Sequence, residues 1–323
     1  SRDLPQSQVI PKQVDGVRTD VIAVGELWAQ QTPRDRYRPT IPSGVSLGHY
    51  RITAGTLGCI VRDRITGERF ILSNNHVIAN SNDAQIDDVV LQPGPADSGT
   101  NPADIVAKLA RFTPLRYVED PVTTPTPNPN PNPTPTPNPG GCLMVGFQVM
   151  NFVASLLGSK QRVTTAPQSV GAQSAGVIAM PTPAPIVVQS AAVDNSYDAA
   201  LARLSNPSMF LDDIQNIGKV EGTLPPTLGM RVRKMGRTTG LTFGTITLLN
   251  ATVNVGYTTS RGNRTARFTG QVITEAMSQG GDSGSLIVDA TQNKAVGLLF
   301  AGSPLATIFT PIDVVLAGLN VTI

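Results

Sequence analysis

The chain has 323 residues, 40% hydrophobic and 15% charged, so it has ample material for a core and no excess of charge. Gly 30 and Pro 27 make it rich in turns but short of the ~25–30% that marks low-complexity chains, which sets aside collagen, coiled coil and wholesale disorder. The net charge of +2 comes without a run of Lys or Arg, which excludes an electrostatic footprint for nucleic acid, and two Cys with two His give neither a disulfide framework nor a zinc-ligand spacing.

Residues 1–47 hold scattered prolines and charges and read as an N-terminal arm, with one strand expected at Asp20–Val24. Regular β signals begin with His49–Arg62 and Glu68–Ser73, joined by a turn at Asp63–Gly67, and continue with Val89–Gln92 and Ile105–Phe112. Thr123–Pro139 then alternates proline with Thr and Asn, and proline neither donates to a sheet ladder nor continues a helix, so an extended spacer is expected. Behind it, Val145, Val149, Phe152, Val153 and Leu156 recur on one face of an amphipathic helix. The apolar run Cys142–Leu157 is shorter than the ~20 residues a membrane span requires. Roughly 114–190 is therefore read as an insertion.

Short strands return at Ala199–Leu204, Met230–Lys234, Gly244–Thr252, Arg267–Thr274, Ser285–Val288 and Ala295–Phe300, with a terminal helix over Ile312–Leu319. This spacing of strands and turns is that of an antiparallel barrel or sandwich. No N-terminal segment reads as a secretory signal, and with so few cysteines the expected localisation is cytoplasmic, or secreted if a signal has been trimmed.

Three local patterns carry chemistry. FILSNNHVIA (Phe70–Ala79) runs a β-branched strand into His76, YDAALARL (Tyr197–Leu204) opens a small apolar strand with Asp198, and QGGDSGS (Gln279–Ser285) sets Ser283 in a glycine-rich turn. Acyl transfer by a serine needs such a set: an imidazole to take the hydroxyl proton and a buried carboxylate to fix the imidazole's tautomer. Glycines beside the serine let backbone N–H groups converge on an oxyanion, here those of Gly281 and Ser283.

ILSNNHVIA resembles the histidine strand of trypsin-like (chymotrypsin-fold) serine proteases, especially the HtrA type; YDAALARL is similar to their aspartate strand and GGDSGS to their nucleophile loop. Lys234–Leu248 and Thr307–Pro311 resemble streptogrisin-type bacterial proteases, and GHYRITAGTLGCIVR, SNNHVIAN, VLQPGP and GLLFAGS resemble the bacterial relatives of plant narrow-leaf trypsin-like proteases. The resemblance spans Gly48–Leu115 and Ser190–Ile323. It implies an all-β fold of two packed six-stranded antiparallel β-barrels, decorated by the arm and the Pro-rich, helical insertion. The N-terminal barrel (48–210) would carry His76 as base and Asp198 as orienting acid, and the C-terminal barrel (211–323) would carry Ser283 as nucleophile. The long interval from His76 to Asp198 is accounted for by the insertion.

The resemblance further implies a primary pocket with Met277 at its base and Ala301, Gly302, Ser303 and Thr307 around it, hence cleavage after small to medium apolar residues. Relatives carry disulfides beside the histidine and nucleophile, whereas here Val77 follows His76 and Phe243 occupies a cysteine position; Phe300 stands where a hydroxyl usually supports the aspartate. The implied function is peptide-bond hydrolysis through an acyl-enzyme, with no cofactor and no metal. The implied partner is a peptide or protein substrate, with no nucleic acid and no membrane span; a homo-oligomer is compatible with the sequence. Two rivals remain: a catalytically silent protease-fold scaffold, and a Pro-Asn tract that serves as ligand for a proline-recognition groove. The Arg237–Gly240 turn reads equally as barrel geometry or as a neighbour of the site. His49 reads as a structural histidine, and Cys59 as a buried thiol whose pairing with Cys142 is open.

Overall fold

The computed structural model describes residues 13–18, 31–120 and 194–323. The strand expected at Asp20–Val24, the Thr123–Pro139 spacer, the helix behind it and Cys142 lie outside the described residues. All of residues 31–120 and 194–323 fall within one compact unit, Ser1–Pro121 with Ala192–Ile323.

The fold is all-β and chymotrypsin-like. Its first half is an eight-stranded sheet in the order Val321–Thr322, Cys59–Asp63, Arg69–Ser73, Ala200–Leu204, Ile105–Phe112, Val89–Leu91, Ser46–His49 and Gly55–Thr56. Its second half is a closed barrel of six strands: Arg231–Gly236, Gly240–Thr259, Gly262–Glu275, Ala306–Pro311, Ala295–Ser303 and Leu286–Asp289. The first half thus has eight strands where six were expected, and one of the additional two is Val321–Thr322, which the last residues of the chain add beside Cys59–Asp63. The chain therefore crosses the division expected at 210/211. Residues of the expected arm also enter the fold: Ile41–Ser43 pairs in parallel with Phe210–Ile214, which pairs with Gly218–Lys219.

Side-chain alternation explains why the central strands of the first sheet read as nearly continuous apolar runs. Successive side chains of a strand point to opposite faces. Ile60, Ile71, Ala200 and Ala202 point into the core of the first half, with Leu47, Val90 and Leu109. Their neighbours Cys59, Val61, Phe70, Leu72 and Leu201 face the other way and pack with Leu286, Val288 and Leu298 of the barrel and with Ile312, Val315 and Leu316 of the terminal helix Ile312–Gly318. One apolar cluster thus joins the two halves. Val232, Ile246, Val272, Ile287, Val296, Leu299 and Phe309 fill the barrel itself.

The expected strand His49–Arg62 is broken into three pieces. The Ile52 N–H bonds back to the His49 carbonyl and turns the chain, and Gly58 is packed so closely that an added Cβ would sit 2.4 Å from the Gly284 carbonyl. The largest departure is the hairpin Gly240–Thr259/Gly262–Glu275, far longer than the two short strands expected there. Only Val272–Glu275 of its second strand pairs onward into the barrel, so the arm from Val253 to Arg267 projects beyond it.

Candidate active site

His76 and Asp198 meet because their strands are neighbours. Arg69–Ser73 and Ala200–Leu204 pair antiparallel with Ser73 opposite Ala200, so the residues just after the first strand lie beside those just before the second. His76 sits on the single helical turn Asn75–Ile78 that follows the first strand, and Asp198 precedes the second. His76 Nδ1 lies 2.6 Å from Asp198 Oδ2. The Asn75 N–H donates to Asp198 Oδ1 at 2.6 Å, and the Asn74 side-chain amide donates to the Asp198 carbonyl at 2.7 Å. The Asp198 side chain is wholly buried, whereas His76 keeps 21% exposure toward the cleft. An ionised carboxylate only accepts, so a neutral imidazole in this pairing carries its proton on Nδ1 and presents a lone pair on Nε2.

Ser283 stands on the barrel side. Gly281 and Gly284 flank it with φ of +95° and +93°, backbone that L side chains rarely adopt. The turn is held from both halves. Thr56, fully buried at the edge of the first sheet, donates its N–H to the Ser283 carbonyl at 2.8 Å and its hydroxyl to the Gly281 carbonyl at 3.0 Å. The carbonyls that share peptides with the Gly281 and Ser283 N–H groups are those of Gly280 and Asp282. The first takes the Thr238 hydroxyl at 2.7 Å and the second the Ser285 N–H and hydroxyl at 3.0 and 2.6 Å, while the two N–H groups themselves have no partner among the described residues. Asp282 accepts the N–H groups of Thr238 and Thr239 at 2.8 and 3.1 Å, and that of Gln279 at 2.9 Å. The Arg237–Gly240 turn is therefore part of the site's frame. Arg237 in turn forks onto Asp97 at 2.5 and 2.7 Å.

His76, Gly281 and Ser283 line one cavity of about 890 Å³, together with Ala301, Gly302 and Ser303. The Ser283 hydroxyl donates to the Phe300 carbonyl at 3.4 Å rather than to His76. Hydrogen bonds of a resting site are often loose and tighten only around substrate.

Met277 and Thr307 are placed differently from the expectation. Both are buried, and neither lines the cavity. Met277 packs into the barrel core with Val232 and Phe309, because the Thr307 hydroxyl takes its N–H at 3.0 Å and the Thr242 hydroxyl donates to its carbonyl at 2.7 Å. Ser278 reaches the cavity instead, bonded to the Thr307 hydroxyl at 2.7 Å. His49 is buried away from the cavity against Asp88 at 3.0 Å, and burial pushes its pKa down. Cys59 is a buried free thiol, its pKa pushed up to about 12 by burial.

Besides Ser278, three residues at the site were missed in the sequence. Thr56 gave no signal at all. Lys234 could have been found, since it shares strand phase with Val232 and so points inward, where a cation needs a partner. Tyr257 could have been found as well, in phase with Val253 and Val255. Its hydroxyl donates to Asp198 Oδ2 at 3.0 Å, the support that Phe300 lacks. Phe300 stacks on Phe268 instead, 4.7 Å between ring centroids. Among the described residues no cluster of His, Cys, Asp and Glu is arranged to hold a metal ion. Among them, too, no helix is long and apolar enough to cross a membrane.

Sheet, barrel and cleft together give an all-β molecule with a chymotrypsin-like fold. Among solved structures the chain is similar to several proteases. One is a glutamic-acid-specific serine protease that uses a histidine triad in substrate binding, 15% identical over 88% of this chain and 100% of that one, with a TM-score of 0.47. Protease A of Thermobifida fusca is 15% identical over 88% of this chain and 97% of its own, with a TM-score of 0.46. The Nocardiopsis protease is 14% identical over 88% and 98%, with the same TM-score of 0.46. No family model matches the chain, and no curated protein matches it.

Proposed function

We propose that the protein is a serine endopeptidase. The observation that carries this reading is the buried Asp198 holding Nδ1 of His76 at 2.6 Å, with His76 lining a cavity shared with Ser283 and with two N–H groups that have no partner among the described residues. Ser283 Oγ attacks the scissile carbonyl carbon and its proton passes to His76 Nε2. Asp198 stabilises the imidazolium, and the N–H groups of Gly281 and Ser283 receive the oxyanion. Collapse of the tetrahedral intermediate breaks the C–N bond, and the amine leaves with the proton from Nε2. Water, deprotonated by the same nitrogen, then hydrolyses the ester, returning the proton to Ser283.

We take Ala301, Gly302, Ser303 and Ser278, which line the cavity with Ser283, as the wall of the primary pocket; none is charged, and Arg51 is the one charged side chain besides His76 in the cavity lining. Burying an unpaired charge there is costly, so the substrate side chain preceding the cleaved bond is small to medium and uncharged. A fluorophosphonate probe tests the reading: the wild-type protein should label at Ser283, and Ser283→Ala should not label while melting normally. A wild-type protein that resists the probe and cleaves no peptide library would favour the silent scaffold and overturn the proposal.

A further inference from the structure

The buried Asp198 carboxylate has four donors around it, and one of them comes from the other half of the molecule. Oδ1 accepts the N–H groups of Asn75 and His76 at 2.6 and 3.4 Å, and Oδ2 takes His76 Nδ1 at 2.6 Å and the Tyr257 hydroxyl at 3.0 Å. Asn75 and His76 lie one short turn beyond a strand that is the direct neighbour of Asp198's own. Tyr257 instead stands on the projecting arm of the barrel hairpin.

That arm is docked along its length. At its tip the Ser260 N–H and hydroxyl donate to Asp83 at 2.6 and 2.8 Å. Along its second strand the Val118 N–H donates to the Thr265 carbonyl at 2.7 Å, and the Asn195 N–H to the Arg267 carbonyl at 2.8 Å. Underneath, Tyr257 packs with Leu115, Tyr117, Ala266, Phe268 and Phe300. Its ring meets the His76 ring edge-on, 5.6 Å between centroids. Packing would be satisfied by phenylalanine, so the hydroxyl is what requires explanation. Burial, with the Asp198 charge beside it, pushes the phenol pKa well above its ordinary value, so Tyr257 remains a donor wherever His76 can act as a base.

We propose that Tyr257 is a positioning residue: its hydroxyl pins Asp198 Oδ2 against His76, and the hairpin makes the alignment of acid and base depend on the docking of one half onto the other. This rests on the endopeptidase reading. The titratable groups packed about the pair are Tyr257 and, behind it, Tyr117, which in turn lies near Asp83, Asp120 and Arg261. Of these, only Tyr257 donates to the carboxylate.

The test is Tyr257→Phe, which keeps the ring and removes the hydroxyl, compared with wild type and with Ser283→Ala. Each sample is titrated with the fluorophosphonate so that kcat refers to labelled sites. The expected result is a fall in kcat of roughly tenfold to a hundredfold, the range set by a hydrogen bond to a charged group, with KM nearly unchanged. The acid limb of kcat/KM should also move to higher pH, because a carboxylate with one donor fewer holds the imidazolium more tightly. Unchanged kcat per labelled site with an unchanged acid limb overturns the proposal, even if Tyr257→Phe melts lower, since the hydroxyl would then serve stability alone. If wild type itself fails to label, the endopeptidase reading is what has failed.

Discussion

The hydroxyl of Thr56 donates to the carbonyl of Gly281 at 3.0 Å, tying the edge of the first sheet to the glycine-rich turn ahead of Ser283. The same hydroxyl accepts the Arg237 N–H at 3.0 Å, and the Thr56 carbonyl takes the Ser73 hydroxyl at 2.8 Å. One buried side chain thus holds the peptide that follows Gly281 and, through Arg237, the start of the turn from which the Thr238 hydroxyl grips the Gly280 carbonyl, on the peptide that carries the Gly281 N–H, at 2.7 Å. Thr56→Val keeps the shape and removes the donor. It should cost about 1–3 kcal/mol of stability, and it should lower kcat more than it raises KM, since an oxyanion donor acts in the transition state. Thermal melts and steady-state kinetics check both; an unaltered kcat would mean that the turn is oriented by other contacts.

Behind that turn, Lys234 Nζ lies 3.3 Å from Asp282 Oδ2, and neither side chain reaches solvent. Nζ also donates to the Gly240 carbonyl at 3.1 Å and to the Thr239 hydroxyl. Burial pushes the ammonium below the usual lysine range, with the Asp282 charge opposing. As pH rises through that lowered value Lys234 loses its proton, and Asp282 is left as a buried, uncompensated carboxylate next to Ser283. Activity should therefore fall on the alkaline side before an ordinary lysine titrates, at ~10.4. Lys234→Arg should abolish that limb, because a guanidinium stays charged. Lys234→Met should cost about 3–5 kcal/mol, the usual effect of breaking a buried pair from one side. pH–activity profiles of wild type and Lys234→Arg, with denaturant melts of wild type and Lys234→Met, read all three outcomes.

Asp97 answers to acid instead. Burial works to raise its carboxyl, and the bonds from Arg237 and Ser46 overcome it, so its pKa lies below the usual carboxylate range. With the folded value below the unfolded one, the stabilisation is fully present above the unfolded pKa of ~3.9 and is lost as pH falls through the lower, folded value. Asp97→Asn should be less stable than wild type at pH ~7, and the gap should close in acid, below ~3.9. Denaturant midpoints across that pH range decide it; a gap independent of pH would assign the loss to packing.

In the proposed primary pocket, specificity should turn on Gly302. A Cβ added there would sit 2.8 Å from the Ser278 hydroxyl and 3.2 Å from the Ala306 carbonyl, so the wall has no room for a side chain unless Ser278 moves. Gly302→Val should narrow the pocket and confine cleavage to bonds after Gly or Ala, raising KM for larger residues. Peptide-library profiles of wild type and Gly302→Val test this, and a wild-type preference for Arg, Lys or Glu would contradict an uncharged wall.

Much of the site was legible in the chain because its parts are local. A β-branched strand running into His76, an aspartate opening YDAALARL and a serine between glycines are each written in consecutive residues, and alternating side chains locate most strands. Composition marked the stretch from Thr123 as a spacer, and that stretch lies outside the described residues. What the sequence did not reveal depends on register between distant segments. Phe300 and Tyr257 both lie on barrel strands, and only the reach of the hairpin decides that Tyr257 supplies the hydroxyl to Asp198. Met277 counts correctly from Ser283, yet hydroxyls from Thr242 and Thr307 draw its backbone inward and its side chain into the core. Thr56 has no local mark, since its role is to bond a turn more than two hundred residues away. Residue types and short-range order thus mark the candidate catalytic side chains. Which hydroxyl, carbonyl or cation supports it is decided by tertiary packing, because a hydrogen bond is set by distance in space and not by distance along the chain.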